Sequence, residues 1–187
     1  MSRLPPITEA DLSDEAKAVY DAIAAGPRGN LGLVGPFGVY VRAPTVGNAA
    51  QALGAAARFG TEVAENVKEV AICTVGAFYR AKFEFAAHAD LAKRAGVAPE
   101  VVESIRQGEE PAFTRDDEKW AYHVAKENLE NKRVSKATYE AALECLGERS
   151  LVELTLTIGY YSLVSITLNT FEVPLREGMA DPYPEWS

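Results

Sequence analysis

The chain has 187 residues, 48% of them apolar and 25% charged, with a formal net charge of −8. This is the length of one domain, residues 1–187, and the balance of a soluble globular protein, large enough to bury a core without metal or disulfide. Acidity without a concentrated basic face argues against a nucleic-acid partner and against an anionic membrane surface.

Taken in chain order, the signals are helical. Ser13 followed by Asp14 and Glu15 reads as an N-cap with an acidic first turn, and Ala16, Val19, Tyr20 and Ile23 keep helical spacing until Gly26 and Pro27. Residues 26–44, "GPRGNLGLVGPFGVYVRAP", form a long irregular segment of the kind that is functional or orders something nearby. Within it "GVYVRA" could make a short strand. A second helix is expected from about Val46 to Phe59 with Leu53, Ala56 and Ala57 inward. A third runs from about Ala64 to Tyr79 and contains "VAICTVGAFY", ten residues without a charge, which predicts burial on every side. The fourth carries "FEFAAHADL" and runs to Ala95, with Gly96 as its stop.

Pro99 opens a short helix that ends at Gly108. Thr114 is expected to cap the next, with Trp120, Ala121, Val124 and Ala125 as its apolar stripe. Ser135 begins another. Ser150 and Glu153 match a capping box and open a long apolar helix through about Thr170, before Pro174. Period-2 alternation is absent over any useful length, so the expectation is an all-α fold of roughly seven or eight helices. Its most apolar run, residues 154–168, is 15 residues, short of the ~20 that a membrane span needs.

Cys73 and Cys145 are far apart, each in an apolar setting and neither in a CxxC pair, which fits buried thiols in a reducing compartment. With no apolar leader segment at the N-terminus, the expected location is the cytoplasm.

The informative stretch is the fourth helix. At about 100° per residue, Glu84, His88, Leu91, Ala92 and Ala95 share one side, while Lys82, Ala86, Asp90 and Lys93 turn toward water. A carboxylate and an imidazole on an inward stripe couple their titrations and acquire the acid/base character of a proton-transfer site. The bland alternative is a helix pair worth about 0.2–0.5 kcal/mol. A zinc site would need a further ligand, and no HExxH or His/Cys cluster supplies one. His123 reads as half-buried and amphipathic, and Tyr160 and Tyr161 as core residues. "GPFG" and "GPRG" lack the context of a phosphate loop.

Glu69, with Glu84 and His88 fifteen and nineteen positions later, resembles the core signature of the carboxymuconolactone decarboxylase family within the alkylhydroperoxidase D-like superfamily. The peroxidase branch carries Glu-x11-Cys-x2-Cys-x3-His, and its two cysteine positions fall here on Ala81 and Glu84. "GPRGNLGLVGPF", "QALGAAARFGT", "RVSKATYEAAL" and "VELTLTIGYYSLVSITLNTFEVPL" extend the likeness to nearly the whole chain. The family's "YEWxxH" is similar to Phe83-Glu84-Phe85-x-x-His88. An Arg-His-Trp-like run of many relatives is replaced by Ala77-Phe78-Tyr79.

The resemblance implies an alkylhydroperoxidase D-like helical fold, with motif helices at about 64–95 and a second helical half at about 114–171. It implies a homo-oligomer, a trimer or hexamer, with sites near subunit contacts. The activity it implies is a lyase or isomerase needing no cofactor and no metal, acting on a small carbonyl-containing acid or lactone. In that expectation His88 moves the proton, Glu84 sets its tautomer or shares its proton, Glu69 orients water or substrate, and Tyr79, Phe83 and Phe85 wall the pocket. A redox protein using Cys73 or Cys145, or a non-catalytic helical oligomer, are the alternatives.

Overall fold

The computed structural model describes residues 2–186. Among these residues the fold is all-α: nine α-helices and no strand. They are α1 (Asp14–Ala25), α2 (Phe37–Tyr40), α3 (Pro44–Phe59), α4 (Glu65–Phe78), α5 (Lys82–Arg94), α6 (Pro99–Gln107), α7 (Asp116–Asn131), α8 (Lys136–Leu146) and α9 (Glu148–Thr170).

The centre is α4. Every residue from Val67 to Gly76 is buried, with α5, α6, α7 and α9 packed around the helix. The uncharged run in this helix therefore finds its cover within one chain as far as Gly76, while Phe78 at its end is exposed. Each of Val67, Val70, Ile72 and Val75, at 2% exposure or less, contributes about 1.5–3 kcal/mol by burial. A smaller second core joins α1, α2 and the start of α3 through Val19, Tyr20, Ile23, Phe37, Tyr40 and Ala50.

Several local expectations hold. The Ser13 side chain accepts from the Ala16 amide, and the Ser135 side chain from the Thr138 amide. Gly108 closes α6 in the left-handed conformation. Others are corrected. "GVYVRA" is no strand, because its first half belongs to the one-turn helix α2. Thr114 caps nothing: α7 starts two residues later, with Arg115 as its N-cap and Asp116, Asp117 and Glu118 filling the first turn, where the helix dipole favours acid. Ser150 and Glu153 lie inside α9, which already begins after Gly147. The Glu153 carboxylate instead accepts from the Glu62 amide at 2.7 Å and pairs with Arg149.

The inward face of α3 differs most from expectation. Leu53 and Ala56 are exposed, and the buried positions are Gly47, Ala50, Gln51, Gly54 and Ala57. Close helix approach selects the smallest side chains: a Cβ on Gly47 would stand 2.1 Å from the Tyr40 carbonyl oxygen. Cys145 is exposed, whereas Cys73 is fully buried.

Candidate active site

Three helices meet at His88. α4 brings Glu69, wholly buried, and α5 brings Glu84 and His88, at 4% and 8% exposure. His88 Nδ1 stands 2.7 Å from Glu69 Oε2, and Nε2 stands 3.0 Å from Glu84 Oε1. From α9, Tyr161 meets the imidazole edge-on at a centroid distance of 4.9 Å. Both ring nitrogens thus face carboxylates. Burial works against the imidazolium, but Glu69 and Glu84 outweigh it and push the pKa of His88 up to about 10.

Arg58, at the end of α3, completes the cluster. Its guanidinium pairs with Glu65 and places Nη2 3.1 Å from Glu69 Oε1, an ion contact without hydrogen-bond alignment. Buried Lys68 braces the same corner by donating to the Arg58 carbonyl at 3.0 Å. Two cations, Arg58 and His88, thereby face two carboxylates, Glu69 and Glu84, so the buried charge is balanced and tolerable.

A cavity of about 320 Å³ opens beside this cluster. On α5 its wall is made by Phe83, Glu84, Ala87, His88 and Leu91; on α9 by Tyr160, Tyr161 and Val164. Arg58 and Phe59 close one side, and the segment with Arg28, Leu31, Val34, Pro36 and Phe37 covers another. The long irregular segment after α1 therefore lies over the site of its own subunit. The volume suits a small organic ligand, and the lining is apolar with a few convergent polar groups.

Of the residues expected in the site, Glu84, His88 and Phe83 line the cavity. Glu69 is not among the lining residues: wholly buried, it holds the imidazole from the side away from the cavity. Phe85 is directed away, because it stands about 200° from Phe83 around the helix, and its ring packs at 5.7 Å from that of Tyr183. Tyr79 is the C-cap of α4, half-buried, and its ring lies edge-on to Phe78. Tyr160 and Tyr161 are buried as expected of core residues, yet they also form the cavity wall. Burial pushes both phenols upward, so they stay protonated donors. Arg28, Arg58 and Arg176 were not anticipated. Arg58 comes from another helix with no periodic relation to Glu69, but an arginine amid the glycines and prolines of "GPRG" was a visible signal for Arg28.

Cys73 lies one turn from Glu69, and burial, then the nearby carboxylates, raises its thiol well above the ordinary value. That disfavours the thiolate a peroxidase attack requires. Among the described residues, no group of three His, Cys, Asp or Glu is arranged to hold a metal ion. His123 is half-buried, 3.5 Å from Glu110 and far in sequence from the cavity residues. No protein-family model matches this chain, and no curated protein is significantly similar to it.

Proposed function

We propose that this chain is a cofactor-independent lyase or isomerase, similar to the carboxymuconolactone decarboxylase family, that transfers a proton on a small carbonyl-containing acid or lactone. The observation that carries this reading is the contact of one cavity with both Glu84 and His88, while Glu69 holds the imidazole from behind. With both nitrogens protonated, His88 is an acid and not a free base. Glu84, on the cavity wall, is the group that exchanges the proton with the ligand.

For an isomerase, Glu84 takes a proton from a carbon next to the carbonyl and returns it at another carbon. For a decarboxylase, the C–C bond to the carboxylate breaks, CO2 leaves, and the electron pair enters the conjugated carbonyl. The resulting dienolate is protonated at carbon by Glu84, which draws the proton from His88 Nε2; solvent then restores the imidazolium. Phe59, Phe83, Tyr160 and Tyr161 keep water from the reacting carbon.

The subunit is also proposed to assemble with copies of itself. α9 carries Val152, Leu156, Leu163 and Ile166 at 55%, 58%, 40% and 51% exposure, spaced as one helical seam. Gly159 lies within that seam with nothing near its Cβ position, so a second backbone can approach.

The enzyme reading is tested by incubating the protein in D2O with a panel of β,γ-unsaturated acids, β-keto acids and lactones, and following deuterium at carbon by NMR. Glu84→Gln is expected to lower the rate on any substrate so found by about 100-fold or more. Full turnover in Glu84→Gln and in His88→Gln, with native helicity, would contradict the assignment.

A further inference from the structure

The cavity carries more positive charge than its acid/base cluster needs. Arg58 is matched by Glu69 and Glu65, and His88 lies between Glu69 and Glu84. Arg28 and Arg176 also line the cavity, and neither forms an ion pair with a carboxylate among the described residues. In a chain of net charge −8, that is a local reversal of sign.

Arg28 is the more confined of the two. Its guanidinium lies within cation–π range of two aromatic rings, 5.5 Å from the Phe37 centroid and 5.9 Å from that of Phe59. Its hydrogen bond runs from Nη1 to the Gln51 carbonyl oxygen at 3.3 Å, a neutral partner that leaves its charge unmatched. The structure makes deliberate room for it. A Cβ on Gly54 of α3 would clash with both Arg28 Nη2 and the Tyr160 hydroxyl, so the two groups lie side by side against a glycine of that helix. The aromatic rings and the α3 backbone hold the guanidinium in place at the cavity wall, and a guanidinium is the cation best suited to pair with a carboxylate. Arg176 is exposed and stacks on Phe83, with no comparable confinement.

We infer that Arg28, with the Tyr160 hydroxyl beside it, is the subsite that binds and selects the carboxylate of the ligand, leaving the ligand's reacting carbon for Glu84. The inference rests on the proton-transfer reading and narrows it: the preferred ligand is an anion, and a neutral lactone of the same shape is a poor one. The loop after α1 then acts as the specificity element, because it brings Arg28 to the cavity.

Calorimetric titration of the full chain with benzoate and with benzamide, its neutral isostere, tests this. Wild type is expected to bind benzoate about tenfold or more tightly than benzamide. Arg28→Met should reduce benzoate to the level of benzamide, and Arg28→Lys, which keeps the charge but not the fork, should recover only part. Arg176→Met and Glu84→Gln should retain benzoate binding. Equal affinity for the two probes, no binding of benzoate, or wild-type affinity in both Arg28 variants would overturn the subsite and leave the role of Glu84 standing. Benzoate bound through Arg28 in a chain whose turnover is indifferent to Glu84→Gln would instead remove the proton-transfer reading and keep the subsite.

Discussion

Because both ring nitrogens of His88 face carboxylates, folding favours the imidazolium over the neutral ring. The ordinary histidine pKa of 6.5 rises to about 10 in the fold. The corresponding stability is complete below pH 6.5 and is lost as the pH climbs through about 10, where the folded chain must give up the same proton. Urea unfolding between pH 6 and pH 9.5 should therefore show wild type weakening across about this window, with a flatter dependence in His88→Gln. Parallel pH profiles for the two would show that the carboxylates do not hold the charge. The pair at Glu84 and His88 could be read in the sequence because both residues lie on one stripe of one helix. The charge state could not, since it depends on burial and on Glu69, which belongs to another helix.

At the scale of the helix, size complementarity outranked hydrophobicity in α3. Sequence patterning favours the largest apolar side chains as the inward ones, yet the face against α2 and α9 is built from Gly47, Ala50, Gly54 and Ala57. Gly47 is the sharpest case, since a Cβ would meet the Tyr40 backbone, which cannot swing aside as a side chain can. Gly47→Ala is expected to cost about 1–3 kcal/mol, read as a lower urea midpoint, in spite of alanine's better helix propensity. An unchanged or higher midpoint would mean that α2 and α3 separate freely. Helix ends with a serine cap were legible from the sequence, at Ser13 and Ser135. The ends of α7 and α9 were not, because acidic first-turn residues and the turn at Gly147 set them.

For the whole molecule, the apolar run of α4 and that of α9 have different fates. Nothing in the composition separates them, but α4 is enclosed by its own chain from Val67 to Gly76 and α9 keeps one face uncovered. Among the described residues, α9 is the one helix long and apolar enough to cross a membrane, at 23 residues, and half of its apolar window is buried against the protein. With the uncovered half proposed as the contact between copies, Leu156→Glu should convert an oligomer to monomers in sedimentation velocity, with the cavity intact. A wild-type chain that sediments as a monomer at high concentration would contradict that proposal. The same architecture gives the long irregular segment, expected to be functional or to order something nearby, its place: residues between α1 and α2 roof the cavity and supply Arg28.

The centre of the site is an imidazolium held between Glu69 and Glu84 at the edge of a cavity. Nitrogen-15 NMR of the His88 ring from pH 6 to pH 9 measures this directly. Two protonated nitrogens throughout that range are predicted, with both resonances moving when benzoate is added. A ring that loses a proton near pH 6.5, as a solvent-exposed histidine does, would contradict the account.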